Sequence, residues 1–423
     1  MRVISDFHIH GPYAMACSKQ TTIKKLADNA KIKGLNVLGT GDALHPKWFQ
    51  NITSELEEDS NGILWTRETN PFPFIWQTEL SLMYTQDGKG RRIHHVILMP
   101  NKDVVIQVRD ALLKRGRLDY DGRPIFGFSS IELIDMLRSI SEDIEVIPAH
   151  AWTSWMSIFG SKSGFNSVEE CFKEKSKYIH AIETGLSSNP YMNRRVSSLD
   201  KYNLVSFSDP HSYHTHRLGR EATILDIKNL TYKNILNAIR TGEGLAGTVE
   251  VNPAYGKYHI DGHRACGVVL QPSESKKLNG ICPRCKQPLT IGVAYRVEEL
   301  ADRKEPINVP YYTEVIPLAE VIALVLKKGV TTKTVLKEYS TIISKFDNEF
   351  NILMNVKLDD LKLVTHEKIA EAIIKIREKN VKYKEGYDGV YGYPILNEEE
   401  KTEELKKPEF MAEFQKGLNE FSH

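Results

Sequence analysis

The chain of 423 residues balances 56 Lys+Arg against 55 Asp+Glu, a formal net charge of +1, with 41% hydrophobic and 26% charged residues. A chain this long exceeds what one hydrophobic core usually organises, so one large domain with one or two smaller ones is expected. It has no apolar run of about eighteen residues and no charged-then-apolar leader at Met1, which argues against a membrane partner, while the near-neutral charge neither favours nor excludes nucleic acid.

From Met1 to about residue 250, short apolar runs alternate with helical periodicity, the rhythm of βα units feeding a parallel sheet or barrel. Strands are expected at Val3–His8, Leu35–Gly39, Phe74–Glu79, Ile93–Met99, Ile144–Pro148, Ile179–Glu183 and Leu204–Ser208, with helices such as Thr21–Lys33 and Ser130–Ile140 between them. This is the pattern of an α/β fold built on an irregular (β/α)7-like barrel. Residues 251–305 break into a loop-rich module, 306–396 turn helical, with Leu318, Val321, Ile322 and Val325 at helix spacing, and 397–423 read as a charged linker and tail.

Ten of the 14 histidines fall before residue 217, and the interesting ones share an address with acids just after the expected strands. His8 and His10 end the first, Asp42 and His45 follow the second, and Glu79 ends the third. His94 and His95 come next; His150, Glu183 and the pair Asp209 and His211 follow the last three. Loops after the strands form the active face of such barrels, so these side chains would converge there. A lone histidine is more often structural than a ligand, but His-x-His and Asp-x-His place two side chains on one face of a strand. We therefore expect two or three divalent ions (zinc, manganese or magnesium) held by His8, His10, Asp42, Glu79, His95, His150, Glu183, Asp209 and His211, with His45 a further candidate. His95 is preferred to His94 because only one of two neighbours can point inward. Paired cations lower the pKa of a water and stabilise both attacking and leaving oxygens, so these same residues would be the catalytic set, with His211 or His45 shuttling a proton.

The motif order His-x-His, Asp, Glu, His, His, Glu, Asp-x-His resembles the polymerase-and-histidinol-phosphatase (PHP) superfamily, whose members hold two or three metals and hydrolyse phosphate esters. The chain departs from that pattern at Ala16 and Cys17, where an Asp or His is common, and at Gly41-Asp42-Ala43, where Thr-Asp-His is common. Both departures bear on the third metal.

Further along, His263 and Cys266 precede Cys282-Pro-Arg-Cys285, a plausible tetrahedral zinc site with His259 as alternate fourth ligand. Three clustered cysteines in a large chain suit metal binding in a reducing compartment, so a cytoplasmic protein is expected. The strings KYHIDGHRAC, CPRCKQPLTIGV, RVEELADR and EGYDGVYG sharpen the resemblance to the endonuclease Q family over nearly the whole chain. That resemblance implies a DNA repair endonuclease cutting duplex DNA 5′ to a deaminated base (hypoxanthine, xanthine, uracil) or an abasic site.

A base inspected outside the stack needs aromatic and polar partners, so Tyr13, Trp152, Trp155 and Tyr213 are candidate platforms and Arg194 and Arg195 candidate backbone contacts. In the tail, Gln415, Leu418 and Phe421 are similar to a sliding-clamp (PCNA) binding peptide. The rival readings are a small-molecule phosphomonoesterase on the same ligands and a non-catalytic scaffold.

Overall fold

The computed structural model describes residues 1–396; the clamp-like residues Gln415, Leu418 and Phe421 lie outside them. We number ten strands that matter for the site: β1 Arg2–Asp6, β2 Val37–Gly39, β3 Pro73–Gln86, β4 Lys89–Met99, β5 Glu145–Pro148, β6 Ala181–Glu183, β7 Asn203–Val205, β8 Ala222–Asp226, β9 Leu245–Glu250 and β10 Tyr312–Glu314. The hydrogen-bonded path runs β10-β9-β8-β1-β2-β3-β4-β5, and β6 and β7 form a separate parallel pair.

The sheet is mixed rather than parallel as expected: β1, β2 and β3 are parallel neighbours, but β4 runs antiparallel to both β3 and β5, and β8 antiparallel to both β1 and β9. The cause at β3–β4 is local. Asp87 and Gly88 adopt positive φ of 54° and 73°, the two-residue turn that joins strands of right-handed twist. The ladder does not continue into the β6–β7 pair. A few bonds bridge the gaps: the Ala151 N–H donates to the Glu183 carbonyl (3.0 Å), and Thr223 Oγ1 accepts from the Ser206 N–H (3.0 Å) and donates to the Ser206 carbonyl (2.9 Å).

Both strand groups nevertheless face one core, in which Val3, Phe7, Ile75, Val96, Ile147, Ala181, Val205 and Leu225 pack together. Helices cover the outside. The Ile23–Lys33 helix starts where Thr22 accepts the Lys25 N–H and stops at Gly34, whose φ of 96° suits glycine. The Ser130–Ile140 helix is opened by a capping box of Ser129 and Glu132.

The segment from 251 carries a short hairpin, Asp261–His263 with Val268–Leu270, over a small core of Val268, Cys282 and Leu289. Helices Leu318–Leu326, Lys333–Phe346, Glu349–Met354, Leu358–Lys362 and Glu367–Arg377 follow. Two features cross the boundary expected near 305. β10 pairs with β9 in the main sheet, and the fully buried Lys33 reaches Glu349 of the helical region at 2.7 Å. Among the described residues no helix is long and apolar enough to cross a membrane.

Candidate metal centre

Three residues just past strand ends hold φ values rare for side-chain-bearing residues: Asp42 at 42°, His150 at 30° and Asp209 at 44°. Such strain persists only where surrounding structure over-determines it, and here all three side chains turn into one region. His8 Nε2 lies 3.5 Å from Glu79 Oε1 and 3.6 Å from Asp209 Oδ1, and His10 Nε2 lies 3.3 Å from Glu79 Oε2 and 3.1 Å from Asp209 Oδ1. Across the Glu79 carboxylate, Oε1 sits 2.7 Å from His94 Nδ1 and 3.3 Å from His150 Nε2. Two groups of donor atoms result, His8–His10–Asp209 and Glu79–His94–His150, each within 4.8 Å.

Apart from the 3.3 Å contact of His94 Nδ1 with His150 Nε2, the donor atoms crowd together with few bonds among themselves. His8 Nε2, His10 Nε2, Glu79 Oε1 and Asp209 Oδ1 are buried and lack a hydrogen-bond partner among the described residues. Orphaned lone pairs and carboxylate oxygens converging this way fit divalent cations, which would satisfy them all. Electrostatics agree. Burial opposes protonation of His8, but Glu183, Asp209 and Glu79 outweigh it and hold its pKa well above the usual range; burial likewise opposes the low pKa of Glu79, which His94, Arg123 and His8 enforce. Cations bound there would replace those protons.

Asp42 and Glu183, expected as ligands, stand one layer back. His8 Nδ1 donates to both oxygens of Glu183 at 3.0 Å, and His10 Nδ1 donates to Asp42 Oδ1 at 2.9 Å. Each carboxylate thereby selects the tautomer that leaves Nε2 free to ligate. Glu183 also accepts the His150 N–H at 2.7 Å, and Asp42 the Gly11 N–H at 2.7 Å. His211 lies beside the first group, its Nδ1 donating to the Asp209 carbonyl at 3.3 Å, and burial lowers its pKa to about 4.

The expectation that His95 rather than His94 points inward is overturned. Register pairs Ser81 with His94 and Leu80 with His95, and opposed residues share a face, so His94 joins Glu79. His95 turns outward, where Nε2 meets Ser130 Oγ at 2.9 Å and its ring packs against Phe172.

Other expectations divide. His45 stacks on Tyr13, centroids 4.4 Å apart, outside both donor groups. Trp152 is buried against Phe159, its indole N–H donating to Asn193, so it is core rather than a platform. Arg194 is also buried, donating to the carbonyls of Leu199 and Tyr202, and Arg195 pairs with Glu298; neither is a free backbone contact. Tyr213 packs on His214 beneath Lys25. Trp155 is 38% exposed and meets Tyr258 edge-on at 5.0 Å. Trp155 and Tyr258 line a cleft of about 350 Å³ whose floor includes His94, His150, Asp209 and His211. Arg123 and Arg220 also line it, and sequence reading missed both because nothing local marks them.

In the module, His263, Cys266, Cys282 and Cys285 bring their ligand atoms within 4.8 Å of one another, a set that fits a tetrahedral ion. The alternate His259 is elsewhere, 3.4 Å from Glu385.

Fold and site together define an α/β protein with a candidate two-position metal centre and a separate Cys3His site. Residues 317–380 match the family described as the MJ0043 C-terminal domain. Protein MJ0043 of Methanocaldococcus jannaschii is 34% identical over 355 residues, covering 81% of this chain; the chain spans 43% of the length of that relative. YqxK of Bacillus subtilis is 27% identical over 418 residues, 92% of this chain and 98% of that protein. Among solved structures, the lesion-specific endonuclease PfuEndoQ of Pyrococcus furiosus is similar with TM-score 0.84 and 30% identity, over 96% of this chain and 98% of that one. An endonuclease Q complex with a 27-mer duplex, carrying an abasic lesion at its active site, gives TM-score 0.84 and 31% identity, over 94% and 98%. The chain belongs to the endonuclease Q family.

Proposed function

We propose that this chain is a metal-dependent DNA repair endonuclease of the PHP barrel type. It would hydrolyse the phosphodiester bond on the 5′ side of a deaminated base (hypoxanthine, xanthine or uracil) or an abasic site in duplex DNA. The observation that carries this reading is the convergence of orphaned imidazole and carboxylate atoms on one open cleft, in a family whose solved members include a lesion-specific endonuclease. Two divalent cations at that centre would supply an activated water and charge neutralisation for attacking and leaving oxygens.

The chain's own residues prepare the site. His8 and His10 present Nε2 because Glu183 and Asp42 hold their Nδ1 protons. Glu79 spans both donor groups, and the strained backbone at His150 and Asp209 aims their side chains across the cleft. His211, tethered through Nδ1, keeps Nε2 to move a proton. Trp155 and Tyr258 offer an apolar wall for an extruded nucleotide. One zinc ion in the Cys3His site and a sliding clamp bound through Gln415, Leu418 and Phe421 complete the proposal, as does a cytoplasmic location.

The test is incubation with Mg²⁺ or Mn²⁺ and end-labelled duplexes bearing one hypoxanthine, uracil or abasic site, beside undamaged duplex. A lesion-dependent nick immediately 5′ of the damage is expected, reduced by about 10³-fold or more in Asp209→Ala, the scale of a lost electrostatic anchor. Hydrolysis of small phosphomonoesters without any duplex cutting would instead favour the phosphomonoesterase reading, and absence of both would favour a scaffold.

A further inference from the structure

Outside the ligand set, the permanently charged side chain of Arg123 touches the centre. Arg123 Nη1 lies 3.2 Å from Glu79 Oε2, on the opposite side of that carboxylate from His94 and His150. Its side chain is 19% exposed, and the exposed part belongs to the cleft wall near Asp209 and His211.

The loop that carries Arg123 is fastened at several points. The Gly122 N–H donates to the Tyr13 carbonyl (3.2 Å), the Arg123 N–H to Asp121 Oδ1 (2.9 Å), and the Ser81 N–H of β3 to the Pro124 carbonyl (3.1 Å). Asp121 Oδ1 also accepts the Met15 N–H at 3.3 Å, tying this loop to the one that follows His10. Glycine is required at 122, since a Cβ there would lie 2.3 Å from Asp42 Oδ2. The backbone thus presses against the carboxylate that orients His10, and Arg123 is delivered beside it.

A guanidinium has five N–H donors in a rigid fork, and Glu79 takes only one of them. Charge balance for Glu79 alone would be served by a fully enclosed pair such as Lys33–Glu349, where both side chains are 0% exposed. Arg123 instead keeps part of its fork open to the cleft. We propose that Arg123 is a catalytic residue: while Nη1 stays on Glu79, its other N–H groups donate to a non-bridging oxygen of the scissile phosphodiester. The substrate class rests on the function proposed above. The residue would add fixed positive charge where the phosphoryl oxygens gain negative charge, costing no reorganisation during the reaction.

The test compares wild type, Arg123→Met and Arg123→Lys by three readouts: cation content of the barrel by elemental analysis, calorimetric affinity for inorganic phosphate in Mn²⁺, and hydrolysis of bis(p-nitrophenyl) phosphate. In Arg123→Met we expect unchanged cation content, at least about tenfold weaker phosphate binding, and kcat lower by about 10²–10³-fold with partial rescue by added guanidinium. Arg123→Lys, which keeps the charge and guards against misfolding in the first variant, should fall between. Loss of barrel cations with phosphate affinity intact would overturn the proposal and make Arg123 a support for Glu79. Unchanged phosphate affinity and kcat would overturn it as well. If wild type hydrolyses neither DNA nor the diester, the functional reading fails, while phosphate binding still decides Arg123.

Discussion

The two candidate metal sites are built in opposite ways. The centre at the strand ends gathers its atoms from His8 to Asp209, nearly the whole large domain, whereas the Cys3His site uses residues 263–285. In the large domain the imidazoles of His8 and His10 are turned and held by Glu183 and Asp42 without any ion, on strands that share an extensive core. In the module, the buried apolar core is Val268, Cys282 and Leu289, and Cys285 is exposed. The first arrangement would seat an ion in a frame held by its own core; the second, with so small a core, would depend on an ion for its fold. The thiols fit this contrast. Burial pushes Cys282 up but the N–H groups of Cys285 and Arg284 outweigh it and bring it down to about 6, while a bond with Cys285 raises Cys266 to about 11. A cation bound there would favour the thiolate form of Cys266 as well as of Cys282.

The largest expected effect tests the module. Cys282→Ser, or stripping with a strong chelator, removes binding energy on the order of 10 kcal/mol. We expect rapid proteolysis confined to residues 257–292, with the main thermal transition preserved. Protection identical to that of the untreated protein would break the comparison, and so would collapse of the whole chain.

A smaller effect probes pre-orientation in the large domain. Glu183→Gln, which removes the charge beside His8 Nδ1, should weaken cation affinity at this centre about 10–100-fold, read by Mn²⁺ titration, with the far-UV spectrum unchanged. An affinity equal to wild type would mean that Glu183 does not set the poise of His8.

The smallest contrast is one of pH. Burial raises the carboxyl of Glu221 to about 8, and burial with the charge of Glu221 raises that of Glu250, whose oxygens accept from Thr184 and Thr248. A carboxyl raised in the folded state contributes stability that is full below its unfolded pKa and lost as pH climbs through the folded one. The large domain's melting temperature should therefore fall by about 2–4 °C between pH 5 and 8, and Glu250→Gln should flatten the slope. The module should respond in the other sense, since its thiols must lose protons to hold an ion. Equal slopes in wild type and Glu250→Gln would remove the buried carboxyls from the account.

Much of this was legible in the residues. Apolar runs at strand spacing located seven of the frame strands, because alternating or continuous burial leaves a local signature, although Pro73–Gln86 and Lys89–Met99 extend well past the expected spans around their turn. The caps at Thr22 and Ser129 are local too. His8, His10, Asp209, His263, Cys266, Cys282 and Cys285 stood out because paired spacing on a strand or knuckle constrains direction as well as identity. Even His94 was within reach. The Asp87-Gly88 turn pairs Gln86 with Lys89, and counting back from there sets Ser81 against His94, on the face of Glu79.

What the sequence determined, then, was which residue types stand at the strand ends and which cysteines lie close enough to share an ion, since both follow from periodicity and short-range spacing. Only the tertiary structure decided that Asp42 and Glu183 turn to imidazoles instead of the cleft, that Trp152 and Arg194 are spent inside the molecule, and that Arg123 reaches Glu79. Those outcomes depend on which groups meet across separations such as the 44 residues between Arg123 and Glu79 or the 175 between Glu183 and His8, and no local pattern carries that distance.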